Sequence, residues 1–135
     1  MANKLIVKHF TSPDETRTFA AHGRMDVLSA DGGMVGRGIF EPGWKWSKDM
    51  KSAAGTRSCQ VSHALYVLSG RMHLKMDDGD EAEIAAGDYV VIPPGHDAWT
   101  VGNEPCVIFD FGGAATYAQR PAGADSTSAQ QHSMR

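Results

Sequence analysis

The strongest constraint on this fold is a succession of short apolar runs, each cut by glycine or proline. Met34 to Phe40 stops at Glu41-Pro42-Gly43, and His63 to Leu68 stops at Ser69-Gly70. Met72-His73-Leu74-Lys75-Met76 alternates apolar and polar residues, the period-two mark of a strand with one buried face. Asp78-Gly79 follows it, a hairpin signal. Glu83 to Ala85, Tyr89 to Ile92, Trp99 to Val101 and Cys106 to Phe111 complete the set, with Pro93-Pro94-Gly95 breaking it once more. Lys4 to Phe10 and Arg24 to Leu28 read as further strands. Asp31-Gly32-Gly33 reads as a turn, and the glycines at 36 and 38 mark a bulge or close packing. No 11-residue window carries a 3.6-residue apolar stripe. Regularly spaced strands with turn signals predict an all-β sandwich or barrel.

A chain of 135 residues suits one domain that buries its own core. The expected organisation is N-terminal strands over 1–33, a barrel over 34–113 and a flexible tail over 114–135. From about Ala118 the chain is Ala, Gly, Ser, Thr and Gln with few apolar anchors. The opening MANKLIVKHF lacks the apolar core and cleavage site of a secretory signal, and no apolar stretch is long enough to span a bilayer. These features predict a cytoplasmic protein with reduced thiols and no membrane partner. Cys59 and Cys106 make no disulfide framework. The net charge of −3 argues against a nucleic-acid partner, which would demand a basic face. The acidic run Asp77 to Glu83 is a solvated turn without the ligand spacing of a calcium loop.

The stretches HALYVLSGRMHLKMDDG and GDYVVIPPGHDAW resemble the two motifs of small cupins. The second cupin motif runs Gly, five residues, Pro, one residue, Gly, two residues and His, with an Asn four residues on. Gly87, Pro93 and Gly95 match; Asn103 stands one residue late. Gly70 matches the last Gly of the first motif, and the stretch between Gly70 and Gly87 suits the short intermotif loop of compact members. The resemblance implies an all-β double-stranded β-helix, or jelly-roll barrel. It also implies an interior divalent metal, held in most members by three His and one Glu.

That ligand set does not carry over intact. His63 stands where the Glu is usual, Ala98 where the second-motif His is usual, and His96 two residues before it. Ser58 or Cys59 occupies the second position of the HxH pair, and Thr56 or Arg57 the first. The expected centre is therefore a rearranged one of His63 and His96, with Cys59 as third ligand and Glu41 as a more distant option. Imidazole and thiolate suit Zn, Fe, Ni or Cu, with Mn as a further candidate. The same residues also fit a metal-free reading, as polar groups that bind a ligand or water. Trp44, Trp46, Tyr66 and Trp99 are expected to line an apolar pocket for a small molecule. His73 is out of phase with its apolar neighbours and should face solvent. His9, His22 and His132 fit no ligand position. The resemblance leaves two functions open: a dioxygenase- or isomerase-like metalloenzyme, or a small-ligand binding and sensing module without turnover. Cupins commonly pair, so a homodimer is expected, with Lys4 to Phe10 adding to a partner's sheet.

Overall fold

The structure is a computed structural model and describes residues 4–112. The expected tail, with His132, lies outside these residues. Nine strands run in the order β1 (Glu15–Thr18), β2 (Gly23–Ala30), β3 (Gly33–Phe40), β4 (His63–Ser69), β5 (Arg71–Met76), β6 (Glu81–Ala85), β7 (Tyr89–Ile92), β8 (His96–Val101) and β9 (Cys106–Asp110). Two single-turn helices, α1 (Trp46–Asp49) and α2 (Lys51–Ala54), bridge β3 and β4.

The strands form two antiparallel sheets. One has six strands in the order β1-β2-β3-β9-β4-β7, the other three in the order β6-β5-β8. The sheets are not closed on each other, so the expected barrel is realised as two layers. Strand alternation supplies the core between them: β8 and β9 bury every second residue along their length. Val27, Val67, Ile108 and Met25 are almost fully inaccessible there. Trp44 joins them, its ring 4.5 Å from that of Phe40 at an edge-on 62°. No helix among the described residues is long and apolar enough to cross a membrane.

Most expected strands are present. Asp31 and Gly32, with φ of 52° and 82°, make the turn of the β2–β3 hairpin. Gly38 reflects close packing, because a Cβ there would lie 2.6 Å from the Phe40 ring. The bulge is elsewhere, in β4 between Val67 and Ser69. One reading is corrected. Lys4 to Phe10 is not a strand; β1, a polar ETRT segment, takes the edge of β2 instead. The N-terminal stretch is anchored by Phe10, which stacks on Phe109 at 5.7 Å and lies under the Arg37 guanidinium. Trp44 lies between β3 and α1, and Trp46 opens α1. Both are nevertheless buried.

Candidate metal centre

Cys59, His63 and His96 come together inside the molecule. One ligand atom from each lies within 4.8 Å of the others, and all three residues are buried. Each is placed by backbone hydrogen bonding. Cys59 is bridged to the first residue of β8: its N–H donates to the His96 carbonyl at 2.8 Å and its carbonyl accepts from Gly95 at 2.7 Å. His63 opens β4 opposite Ile92 of β7. His96 follows the Pro93-Pro94-Gly95 turn, where Gly95 has φ of 92°. His63 and His96 thus enter from different sheets, with ring centroids 5.3 Å apart.

Both imidazoles are held by their far nitrogens. His63 Nδ1–H donates to Asp110 Oδ2 at 2.6 Å, and His96 Nδ1–H donates to the Pro93 carbonyl at 2.8 Å. These contacts leave Nε2 of each ring for the centre, and His63 Nε2 lies 3.8 Å from Cys59 Sγ. A carboxylate or carbonyl behind an imidazole is the arrangement that orients a metal-ligating histidine.

Electrostatics follow from this packing. Burial pushes the Cys59 thiol up, but hydrogen bonds and charge from His63 and His96 outweigh it, lowering its pKa from 9.0 to about 6. Burial pushes the His63 imidazole down. The charge and hydrogen bond of Asp110, with a contribution from Cys59, reverse this and raise it from 6.5 to about 10. Cys106 has no such neighbours, and burial alone pushes its thiol up to about 12. It behaves as an inert core residue.

The cavity at this centre measures about 30 Å³, room for roughly two water molecules. Trp44 and Trp46 line it, among aliphatic side chains from both sheets, with His63, His96 and Asp110 as its polar groups. The buried Trp44 Nε1–H has no hydrogen-bond partner among the described residues. Tyr66 and Trp99 do not line the cavity, which corrects the expected pocket. Tyr66 lies three residues from inward-facing His63 and is exposed on the opposite face of β4. Trp99 lies three residues from inward-facing His96, stacks on His73 at 4.8 Å and carries Lys45 Nζ 4.9 Å above its ring. His73 sits on that same outer face and bonds Glu81. Glu41 is exposed and takes no part in the cluster. Asp110 is a neighbour of the cluster, through His63, that motif counting does not reach. Its signal in the sequence is phase: Cys106, Ile108 and Asp110 share the inward face of β9.

Fold and site define a small two-sheet antiparallel protein with a nitrogen–sulfur cluster in its interior. The family model described as "Cupin domain" matches residues 56–112, which supports a small cupin domain over that stretch. No curated protein matches the chain. Among solved structures, a polyketide cyclase from Streptomyces resistomycificus is 21% identical, with 79% of this chain and 78% of that one covered and a TM-score of 0.57. An RmlC-like cupin from Shewanella frigidimarina is 20% identical, with coverage of 77% and 88% and a TM-score of 0.52. A protein of unknown function from Acidithiobacillus ferrooxidans is 22% identical, with coverage of 72% and 85% and a TM-score of 0.53. Likeness at these identities concerns the fold.

Proposed function

We propose that this chain is a jelly-roll metalloprotein whose interior centre of Cys59, His63 and His96 holds one divalent transition metal and presents it to a small molecule. The observation that carries the reading is the buried convergence of one sulfur and two imidazole donors within 4.8 Å. The donor chemistry fits such an ion: three protein ligands with further room beside them is the pattern of an open, reactive site. A bound ion there would act as a Lewis acid towards an oxygen atom of its small-molecule ligand. The protein's own residues do the rest. Asp110 and the Pro93 carbonyl orient the two imidazoles. Trp44 and Trp46 keep the surroundings apolar, and the Trp44 indole N–H is a donor for a ligand acceptor atom. The small cavity favours an ion with one or two water-sized ligands; a dioxygenase- or isomerase-like substrate would have to enter by displacing side chains at its mouth.

The test is elemental analysis of the purified chain beside a His63→Ala/His96→Ala variant. Near-stoichiometric metal in the parent and its loss in the variant is the expected result. Equal, sub-stoichiometric metal in both would reject the centre and favour the metal-free binding module. Thermal stabilisation by an organic ligand in the presence of chelator would point the same way. The proposal includes a homodimer, with sedimentation at the dimer mass expected and a monomer mass excluding it.

A further inference from the structure

We propose that Cys59 makes this centre, with its two nitrogen donors and one sulfur donor, selective for a thiophilic ion, zinc or copper, over harder ions such as manganese and magnesium. The inference rests on the metal-binding reading above and adds which ion is held and through which atom.

The donor set itself discriminates. Thiolate suits Cu(I) and Zn, imidazole suits Zn, Cu, Fe and Ni, and hard ions prefer carboxylate, carbonyl and water oxygens. Zinc and copper satisfy both kinds of donor present here. The cluster of donor atoms within 4.8 Å contains no carboxylate. Asp110 is the nearby acid, and its oxygens are already engaged: Oδ2 accepts from His63 Nδ1 and Oδ1 accepts from the Gly112 N–H at 3.1 Å. It therefore stands behind the imidazole. Apart from Asp110, the cavity wall around the donors is aliphatic and aromatic and offers a manganese or magnesium ion no further protein oxygen ligand.

The sulfur is built in. The backbone bridge between Cys59 and His96 sets the thiol and the imidazole on paired residues, so strand register fixes their approach. Cys59 is 2% exposed, which keeps the sulfur from solvent oxidants and from competing ligands. The second cysteine gives a contrast within one chain: Cys106 is buried in β9 and is absent from the donor cluster.

Chelator-stripped protein would be titrated separately with Zn2+, with Mn2+ and, anaerobically, with Cu+. Zn2+ or Cu+ is expected to bind at least ~100-fold more tightly than Mn2+, and the two arms tell zinc from copper. With Co2+ as a spectroscopic stand-in, a thiolate-to-cobalt charge-transfer band is expected in the near ultraviolet. Cys59→Ser should abolish that band and weaken Zn2+ binding by about 10–100-fold or more, with the fold verified by circular dichroism. X-ray absorption at the zinc edge of the unaltered protein needs no variant; it should give one sulfur at about 2.3 Å and two nitrogens at about 2.0–2.1 Å. Mn2+ binding as tight as Zn2+, a missing thiolate band, or a zinc shell of nitrogen and oxygen alone would overturn the proposal. Those results leave a metal centre standing without its sulfur, whereas failure to bind any ion removes the centre itself.

Discussion

Gly70→Ala is expected to destabilise the protein by about 3–5 kcal/mol, an exceptionally large effect for adding one methyl group. Gly70 is the single residue between β4 and β5, where the chain leaves the six-stranded sheet for the three-stranded one. The corner requires φ of 80°, in the left-handed region that side chains disfavour. It also requires space. A Cβ at this position would lie 2.2 Å from the Pro105 carbonyl oxygen and 2.7 Å from the Cys106 Cα. Both are backbone atoms of the segment entering β9, so no rotamer change relieves the clash. Moving them would pull Cys106 out of register with Phe40. Gly87→Ala is the control. Gly87 has a similar φ of 95° with nothing within 4 Å of the added Cβ. Its cost should be the left-handed penalty alone, about 1–2 kcal/mol. Urea denaturation of both variants in chelator measures the difference. Equal losses at the two positions would mean that the conformational penalty dominates and the close approach at Gly70 is tolerated.

The same two glycines explain why so much of the fold is legible in the sequence. Turns that demand positive φ favour glycine, and Gly70, Gly79, Gly87 and Gly95 all have it. Counting back from Gly70 reaches His63 and Ser58 or Cys59, and counting on from Gly87 reaches Ala98, two residues past His96; the structure brings Cys59, His63 and His96 together. What counting misses is governed by phase and length. Proximity in sequence groups Tyr66 and Trp99 with the pocket, yet each is three positions from an inward histidine and so lies on the outer face. Asp110 reads as a polar strand end until its phase with Ile108 is noticed. The helices α1 and α2 are single turns, too short to leave a periodic stripe. Lys4 to Phe10 has the apolar content of a strand, but the place beside β2 is taken by the polar segment β1.

Asp110→Asn should cost the metal-free protein about 3–5 kcal/mol near pH 7, the usual loss when one partner of a buried ion pair is removed. The pH dependence of that loss identifies its cause. His63 titrates at about 10 when folded, above its ordinary 6.5, so its contribution is complete below about 6.5 and disappears as pH rises through 10. Cys59 titrates at about 6 when folded, below its ordinary 9.0, so its contribution is present above 9 and lost as pH falls through 6. Between roughly 6.5 and 9, the folded protein carries its proton on His63 and the unfolded chain carries it on Cys59, so no net proton is exchanged on unfolding. The wild-type stability should therefore be flat across that window and decline on either side. The groups that set this balance are Asp110, Cys59 and His96 around the His63 ring. Asparagine preserves shape and removes the charge that holds the His63 proton. Its deficit relative to wild type should be greatest at about pH 6.5 and should shrink steadily as pH rises to about 10, where wild type has lost the same proton. Urea midpoints of both proteins from pH 6.5 to 11, with chelator present throughout, give that difference directly, since other titrating groups cancel between them. A deficit that stays constant to pH 11 would show that Asp110 stabilises the site through packing and hydrogen bonding, with no protonated histidine behind it.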